Sequence, residues 1–174
     1  MLVPSAHCDS AVCAGVHSGV PTFSVSTAAL LRTLVAHVLG QNGEWDCRTV
    51  AVLESAILDL EVRDAAMGLS VGEYRADAER LWRELTRRLR GRGRASAATL
   101  LGHLHYVAGE GAYAGVALDC ALQADPDWNL ARLLDQALRN GMRPTEMVDI
   151  VDRSFDIAER LGVSLPGRTV DPAA

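Results

Sequence analysis

The sequence predicts an all-α protein: a compact helical bundle, or helical hairpins packed at right angles, with an irregular N-terminal segment. Apolar residues recur at three- and four-residue spacing between residues 26 and 161, and Gly and Pro interrupt this pattern at short intervals. Aromatic residues make up only 5% of the chain, whereas hydrophobic residues make up 49%. The core must therefore be built from Ala, Leu and Val, and such small side chains allow helices to approach closely.

The helical pattern predicts at least six helices and one folded unit. Expected helices cover 26–40, with Ser26 as N-cap, then 46–60, 62–67 and 71–89. Gly91 and Gly93 are expected to break the chain before helices over 96–108, 111–124, 128–138 and 145–161. This gives an irregular N-terminal segment (1–25), a single helical domain (26–165) and a frayed tail (166–174).

The two helices over 96–108 and 111–124 are expected to form a closely packed hairpin. Their contact should use Leu101, Leu104, Ala114, Leu118, Ala121 and Leu122. The helix over 128–138 should then cover this contact with Leu130, Leu133, Leu134 and Leu138.

Charge and hydropathy limit the class of protein. The net charge of -5 does not favour nucleic-acid binding by the chain as a whole. No run of about 18 apolar residues suits a membrane span, and the N-terminus lacks the basic start and apolar stretch of a signal peptide. We therefore expect a cytoplasmic protein that does not associate with membranes, with its four cysteines as reduced thiols.

One cluster of metal-ligand residue types occurs, near the N-terminus. Its members are His7, Cys8, Cys13 and His17. Zinc accepts His and Cys ligands, but the usual closely spaced pair with a second distant pair is absent. Cys47 and Cys120 fall within helices and are expected to be small buried side chains. The sequence therefore predicts no metal centre and no cofactor, and leaves these four residues as the only candidate ligands.

No residue can be singled out as catalytic. His103 and His105 are two positions apart, so on a regular helix they point in nearly opposite directions and cannot share a metal. One of them is expected to be packed and the other solvated. His37 is expected to be a partly buried histidine with a hydrogen-bond partner. Residues 91–94 lack the Lys-Ser/Thr ending of a phosphate-binding loop, and no G-x-S-x-G elbow is present.

A run of arginines is the one basic feature of this acidic chain. It contains Arg83, Arg87, Arg88, Arg90, Arg92 and Arg94. The last five are candidate contacts to phosphate or a nucleic acid, because guanidinium groups neutralise backbone phosphates. The favoured alternative is a solvated helix end, where cations complement the helix dipole. Glu79 with Arg83 and Glu84 with Arg88 have the spacing of ion pairs along a helix.

Two resemblances concern the second half of the chain. The set Leu101, Gly102, Gly109, Ala114, Leu118, Ala121 and Pro126 resembles one tetratricopeptide repeat, a helical hairpin. The chain also resembles the C-terminal half of the actinobacterial family called domain of unknown function 4192. The resemblance lies in residues 109–114, 117–122, 124–126 and 130–134, in residues 62–64 and 81–85, and in the region of Cys8 and Cys13. Where that family usually has adjacent cysteines, this chain has Cys13 followed by Ala14. The resemblance implies a helical fold and a bacterial source, but no activity.

Three functions remain open. The first is a non-catalytic helical module that binds a protein or peptide partner. The second is nucleic-acid association through the basic run from Arg83 to Arg94. The third is a fragment of a metal-binding protein or enzyme whose α/β half is missing.

Overall fold

The structure, a computed structural model, describes residues 25–41 and 45–167, and within these ranges it contains eight α-helices and no strand. In chain order the helices are α1 (Thr27–Val38), α2 (Cys47–Leu58), α3 (Leu60–Ala66), α4 (Arg75–Arg88), α5 (Gly91–Val107), α6 (Gly111–Ala124), α7 (Asn129–Arg139) and α8 (Val148–Arg160). The all-α prediction is confirmed. The expected irregular segment (1–25) lies almost entirely outside the described residues, as does most of the tail (166–174).

Side-chain hydrogen bonds cap the N-termini of the first two helices. Ser26 Oγ accepts a hydrogen bond from the Ala29 amide at 3.3 Å, as predicted for the N-cap of α1. Asp46 caps α2 in the same way, through the Thr49 amide at 2.7 Å, and this hydrogen bond lowers the pKa of Asp46. Two 3-10 turns are present: Met67–Ser70 occupies the expected gap between two helices, whereas Pro144–Met147 replaces the first turn of the helix expected over 145–161.

Helix α5 runs through the middle of the bundle, and most of its residues are buried. On one side it faces the larger core, built mainly from α1 to α4 and α8. On the other side it faces a smaller core that it shares with α6 and α7. Because it is enclosed on both sides, α5 has no solvated face and therefore only weak amphipathic periodicity.

The chain break expected at Gly91 and Gly93 lies slightly earlier, at Leu89 and Arg90, because α5 already begins at Gly91. Gly93 is buried against the side chain of Glu54 on α2. A Cβ atom at position 93 would lie only 2.9 Å from Glu54 Cδ, so the absence of a side chain allows the two helices to meet here. Burial against this contact also raises the pKa of Glu54.

The close contact between α5 and α6 is confirmed. A Cβ atom at Gly102 would lie 2.8 Å from Leu118 Cγ, and Ala114 and Ala121 are fully buried in the same core. Two other expected members of this contact are assigned wrongly, since Leu101 and Leu104 pack into the larger core instead.

Helix α7 covers the hairpin, but only some of the expected residues make the contact. Leu134 is buried in the smaller core, and Leu130 and Leu138 are half-buried against it. Leu133 does not cover the hairpin, because it lies on a different side of α7 and is 55% exposed. Position 133 is one residue from the buried Leu134, and a helix turns by about 100° per residue.

Candidate functional site

The arginine run does not form one surface, because most of its members make specific contacts. Arg83 pairs with Glu79, and Arg88 Nε lies 2.6 Å from Glu84 Oε1, which confirms the two expected ion pairs on α4. The guanidinium carbon of Arg88 also lies 5.2 Å from the centre of the Trp45 ring. Arg88 therefore contacts both a carboxylate and an aromatic ring.

Two arginines near the start of α5 point towards α6 and the α6–α7 turn. Arg94 Nη2 donates to Cys120 Sγ at 3.4 Å. The guanidinium carbon of Arg92 lies 5.5 Å from the Trp128 ring, and its Nε lies 4.0 Å from Asp125 Oδ2. Since α4 ends at Arg88 and α5 begins at Gly91, the chain changes direction within the run and separates its two ends.

Arg87 and Arg90 are the members of the run left exposed without an ion pair to any described residue. The five candidate phosphate contacts are thus divided, with Arg88, Arg92 and Arg94 each engaged by other side chains. A continuous track of guanidinium groups, as a nucleic-acid backbone requires, is not present along 87–94.

A cleft of about 480 Å³ opens between the C-terminal end of α1 and the outer face of α4. Its lining residues are His37, Val38, Gly40, Trp45, Asp77, Arg80, Leu81, Arg83, Glu84 and Arg87. Val38 and Leu81 are buried and form the apolar part of its wall. Part of the arginine run therefore lies beside an aromatic side chain that is distant in sequence, which sequence periodicity did not reveal.

His37 confirms the expected partly buried histidine with a hydrogen-bond partner. Its Nδ1 lies 2.9 Å from the carbonyl oxygen of Thr33, one turn earlier on α1. Its ring approaches Trp45 edge-on, with the ring centres 6.3 Å apart. His37 and Trp45 together thus form one wall of the cleft.

A second polar cluster joins α4, α5 and the start of α6. Glu110 Oε2 lies 2.6 Å from His105 Nδ1 and 2.7 Å from Arg75 Nη2. The hydrogen bond from His105, and then the charge of Arg75, lower the pKa of Glu110. On its other side, His105 Nε2 lies 3.9 Å from Glu79 Oε1. The cluster therefore links three helices through side-chain contacts. Helical spacing did not suggest it, because Gly109, with a φ of +76°, reverses the chain direction between His105 and Glu110.

The expectation that His103 or His105 is solvated is wrong, since both are buried. Their side chains do point to different sides of α5, but α5 is covered on both of these sides. Burial lowers the pKa of His103 to about 4, so its ring is neutral at pH 7. Neither ring nitrogen of His103 has a hydrogen-bond partner among the described residues.

The four candidate metal ligands, His7, Cys8, Cys13 and His17, lie outside the described residues. Within the described ranges, no group of three or more His, Cys, Asp or Glu side chains is placed to hold a metal ion. Cys120 is a free thiol, whereas Cys47 is disulfide-bonded. The expectation of four reduced cysteines is therefore wrong for Cys47, because pairing depends on which sulfur atoms the fold brings together and helical periodicity does not predict that.

The outer face of α6 carries two large apolar side chains in solvent. Tyr113 is 67% exposed and Val116 is 70% exposed, and they lie one turn apart on the same face of the helix. The ring of Tyr113 also packs beside that of His105, with the ring centres 5.4 Å apart. The opposite side of α6 is buried through Ala114 and Leu118. We call Tyr113 and Val116 the α6 outer face.

Every helix in the described ranges is too short or too polar to span a lipid bilayer. No curated protein and no solved structure shows significant similarity to the chain. The family described as domain of unknown function (DUF4192) matches residues 8–145. This range contains the arginine run, the cleft and the α6 outer face, and it confirms the resemblance found in the sequence. The chain therefore belongs to the DUF4192 family.

Proposed function

We propose that the chain is a non-catalytic helical module that binds a protein or peptide partner through the α6 outer face. The observation that carries the proposal is the exposure of Tyr113 and Val116 side by side on one helix. Scattered apolar side chains are normal on protein surfaces, but an aromatic and an aliphatic side chain that adjoin each other form a typical anchor for a partner.

The packing beneath α6 supports this assignment, because it holds the outer face in place. Gly102 and Leu118 bring α5 and α6 into close contact, and Ala114, Ala117 and Ala121 fix the inner side of α6. A rigid helix face loses little conformational entropy on binding, which favours affinity. The tetratricopeptide-like hairpin in the sequence is consistent with such a role, since helical repeats present helix surfaces to peptides.

The partner that suits this face is an amphipathic helical segment with apolar residues three or four positions apart. Such a segment could place one apolar side chain on Tyr113 and the next beside Val116, in the manner of a helix lying along a hydrophobic groove. The cytoplasmic location expected from the sequence belongs to the same proposal.

Nucleic-acid association is the weaker alternative. Only Arg87 and Arg90 of the candidate contacts are free of ion pairs, ring contacts and side-chain hydrogen bonds to described residues, and two such guanidinium groups supply little of the counterion release that drives such binding. A role as part of a metal-binding protein or enzyme depends on His7, Cys8, Cys13 and His17, which lie outside the described residues.

The experiment compares partner binding by two variants of the full chain. Partners are first identified by crosslinking in the source cell, and the tightest is then purified and titrated against each variant. The double variant Tyr113→Ser with Val116→Ser should weaken binding by about tenfold or more, as expected when anchor side chains are truncated. The control is Leu133→Ser, which removes a comparably exposed apolar side chain from α7.

The control should change the affinity by less than about twofold, because contacts outside an interface contribute little. Equal weakening by both variants, or no weakening by the double variant, would contradict the assignment to the α6 outer face. Salt-dependent binding of DNA or RNA that is lost on changing Arg87 and Arg90 would instead favour the nucleic-acid alternative.

A further inference from the structure

The cleft between α1 and α4 has the volume of a small-molecule site and a lining that combines charged and aromatic side chains, and we infer that it binds a ligand in which one anionic group is attached to a planar aromatic group. Its volume of about 480 Å³ is that of an ordinary ligand pocket. The inference is independent of the α6 outer face, because none of the cleft residues lies on α6.

The charges along α4 leave one guanidinium group of the cleft without a carboxylate. Arg80 pairs with Asp77, and Arg83 pairs with Glu79. Arg87 follows on the same side of the helix, four residues after Arg83, and forms no ion pair within the described ranges. A guanidinium fork in this position suits a carboxylate, sulfate or phosphate group.

The remaining acidic side chain of the lining does not oppose an anion. Glu84 accepts from Arg88 Nε at 2.6 Å, so its charge is already balanced. Arg88 at the same time lies over the Trp45 ring. The ion pair therefore also holds the ring in position beside the cleft.

The other walls favour a flat apolar group next to the anion. Trp45 and His37 provide ring surfaces, and Val38 and Leu81 provide buried aliphatic contacts. Aromatic groups stack on such surfaces in offset or edge-on arrangements. A ligand that satisfies Arg87 while covering Trp45 thus combines an anion with a ring.

The test uses Trp45 fluorescence, since Trp82 and Trp128 are buried. Phenyl phosphate and benzoate serve as probes, and they distinguish a phosphate from a carboxylate as the bound anion. At least one of them should quench the emission saturably, with a Kd of about 1 mM or tighter. Inorganic phosphate and phenol, which each lack one half of the ligand, should bind about tenfold more weakly. A Trp45→Phe variant should lose the signal.

Charge variants locate the anion. Arg87→Gln should weaken binding of the better probe by about tenfold, and Arg87→Lys should restore part of the loss because it keeps the charge but not the fork. The matched control is Arg90→Gln, since Arg90 is also exposed but does not line the cleft. It should change the Kd by less than about twofold. Thermal unfolding checks that all variants remain folded.

Three results would overturn the inference. The first is the absence of saturable quenching by either probe up to about 20 mM, beyond the useful range of weak binding. The second is equal affinity for phenol and phenyl phosphate, or an affinity unchanged by Arg87→Gln. The third is tighter, strongly salt-dependent binding of a single-stranded oligonucleotide that Arg90→Gln weakens as much as Arg87→Gln, which would identify a nucleic-acid surface instead.

Discussion

The substitution Gly102→Ala should destabilise the protein, although alanine is the better helix former. A Cβ atom at position 102 would lie 2.8 Å from Leu118 Cγ and 2.9 Å from Leu118 Cδ2. Leu118 is fully buried, so it cannot move aside without disturbing the smaller core. Overpacking costs about 1–3 kcal/mol. The gain in helix propensity offsets about 1 kcal/mol of this, which leaves a net loss of about 0–2 kcal/mol in the free energy of unfolding.

Gly115→Ala is the matched control on the partner helix. Position 115 is also inside a helix, but its Cβ atom would lie 3.7 Å from Leu138 Cδ2, an ordinary van der Waals contact. The same gain in helix propensity is expected here without overpacking, so the variant should be more stable than the parent by up to about 1 kcal/mol. The difference between the two variants therefore isolates the contact between α5 and α6.

Thermal unfolding followed by circular dichroism measures this difference. For a chain of this length, 1 kcal/mol corresponds to about 2–4 °C in Tm. Gly102→Ala should melt about 2–12 °C below Gly115→Ala, given an overpacking cost of about 1–3 kcal/mol. If the two variants melt together, or Gly102→Ala melts higher, the close approach at Gly102 is misplaced and the support beneath the α6 outer face is lost with it.

Two further predictions concern buried polar side chains of α5. Burial lowers the pKa of His103 to about 4 from 6.5, so the unfolded chain binds more protons than the folded one between these values, and stability is lost as the pH falls below 6.5. Between pH 7 and pH 5 the free energy of unfolding should fall by about 2 kcal/mol because of His103. In urea unfolding, the His103→Leu variant should therefore lose about 2 kcal/mol less than the parent over this pH range. An equal loss in both proteins would contradict the lowered pKa of His103. Ser96 Oγ donates to the Ile57 carbonyl oxygen at 2.6 Å and is fully buried, so Ser96→Ala should lower the free energy of unfolding by about 1–2 kcal/mol. Ser55→Ala, which removes an exposed hydroxyl bonded within α2, should cost clearly less in the same urea titration.

The helices were predictable because their signals are local. Ser26 as an N-cap and the pairing of Glu84 with Arg88 depend only on residues a few positions apart, and the structure confirms both. The start of α5 was not predictable in this way. Gly91 and Gly93 favour a break when only neighbouring residues are considered, but packing of Gly93 against Glu54 outweighs their low helix propensity.

Which side of α5 contacts which neighbouring helix was predicted only in part, and the physical reason is different. A helix that is buried on opposite sides has apolar residues all round, so its periodicity does not reveal which side meets which neighbour. The small residues were the better guide, since Ala98 and Gly102 lie on the side that meets α6, whereas Leu104 lies in the larger core. The same burial on both sides explains why neither His103 nor His105 is solvated.

The arginine run shows how pairing within a helix changes the meaning of a basic segment. Six guanidinium groups in sequence suggest a polyanion partner, but the chain carries a net charge of -5, and Arg83 and Arg88 are neutralised by carboxylates on α4. A long nucleic acid would be repelled by the net negative charge of the protein, because many of its phosphates would lie within a Debye length, about 8–10 Å, of acidic side chains. A small ligand with one anionic group meets mainly the local field, where Arg87 is the unbalanced charge of the cleft that Trp45 also lines. The balance of charge therefore favours a small anion over a polyanion at this end of α4.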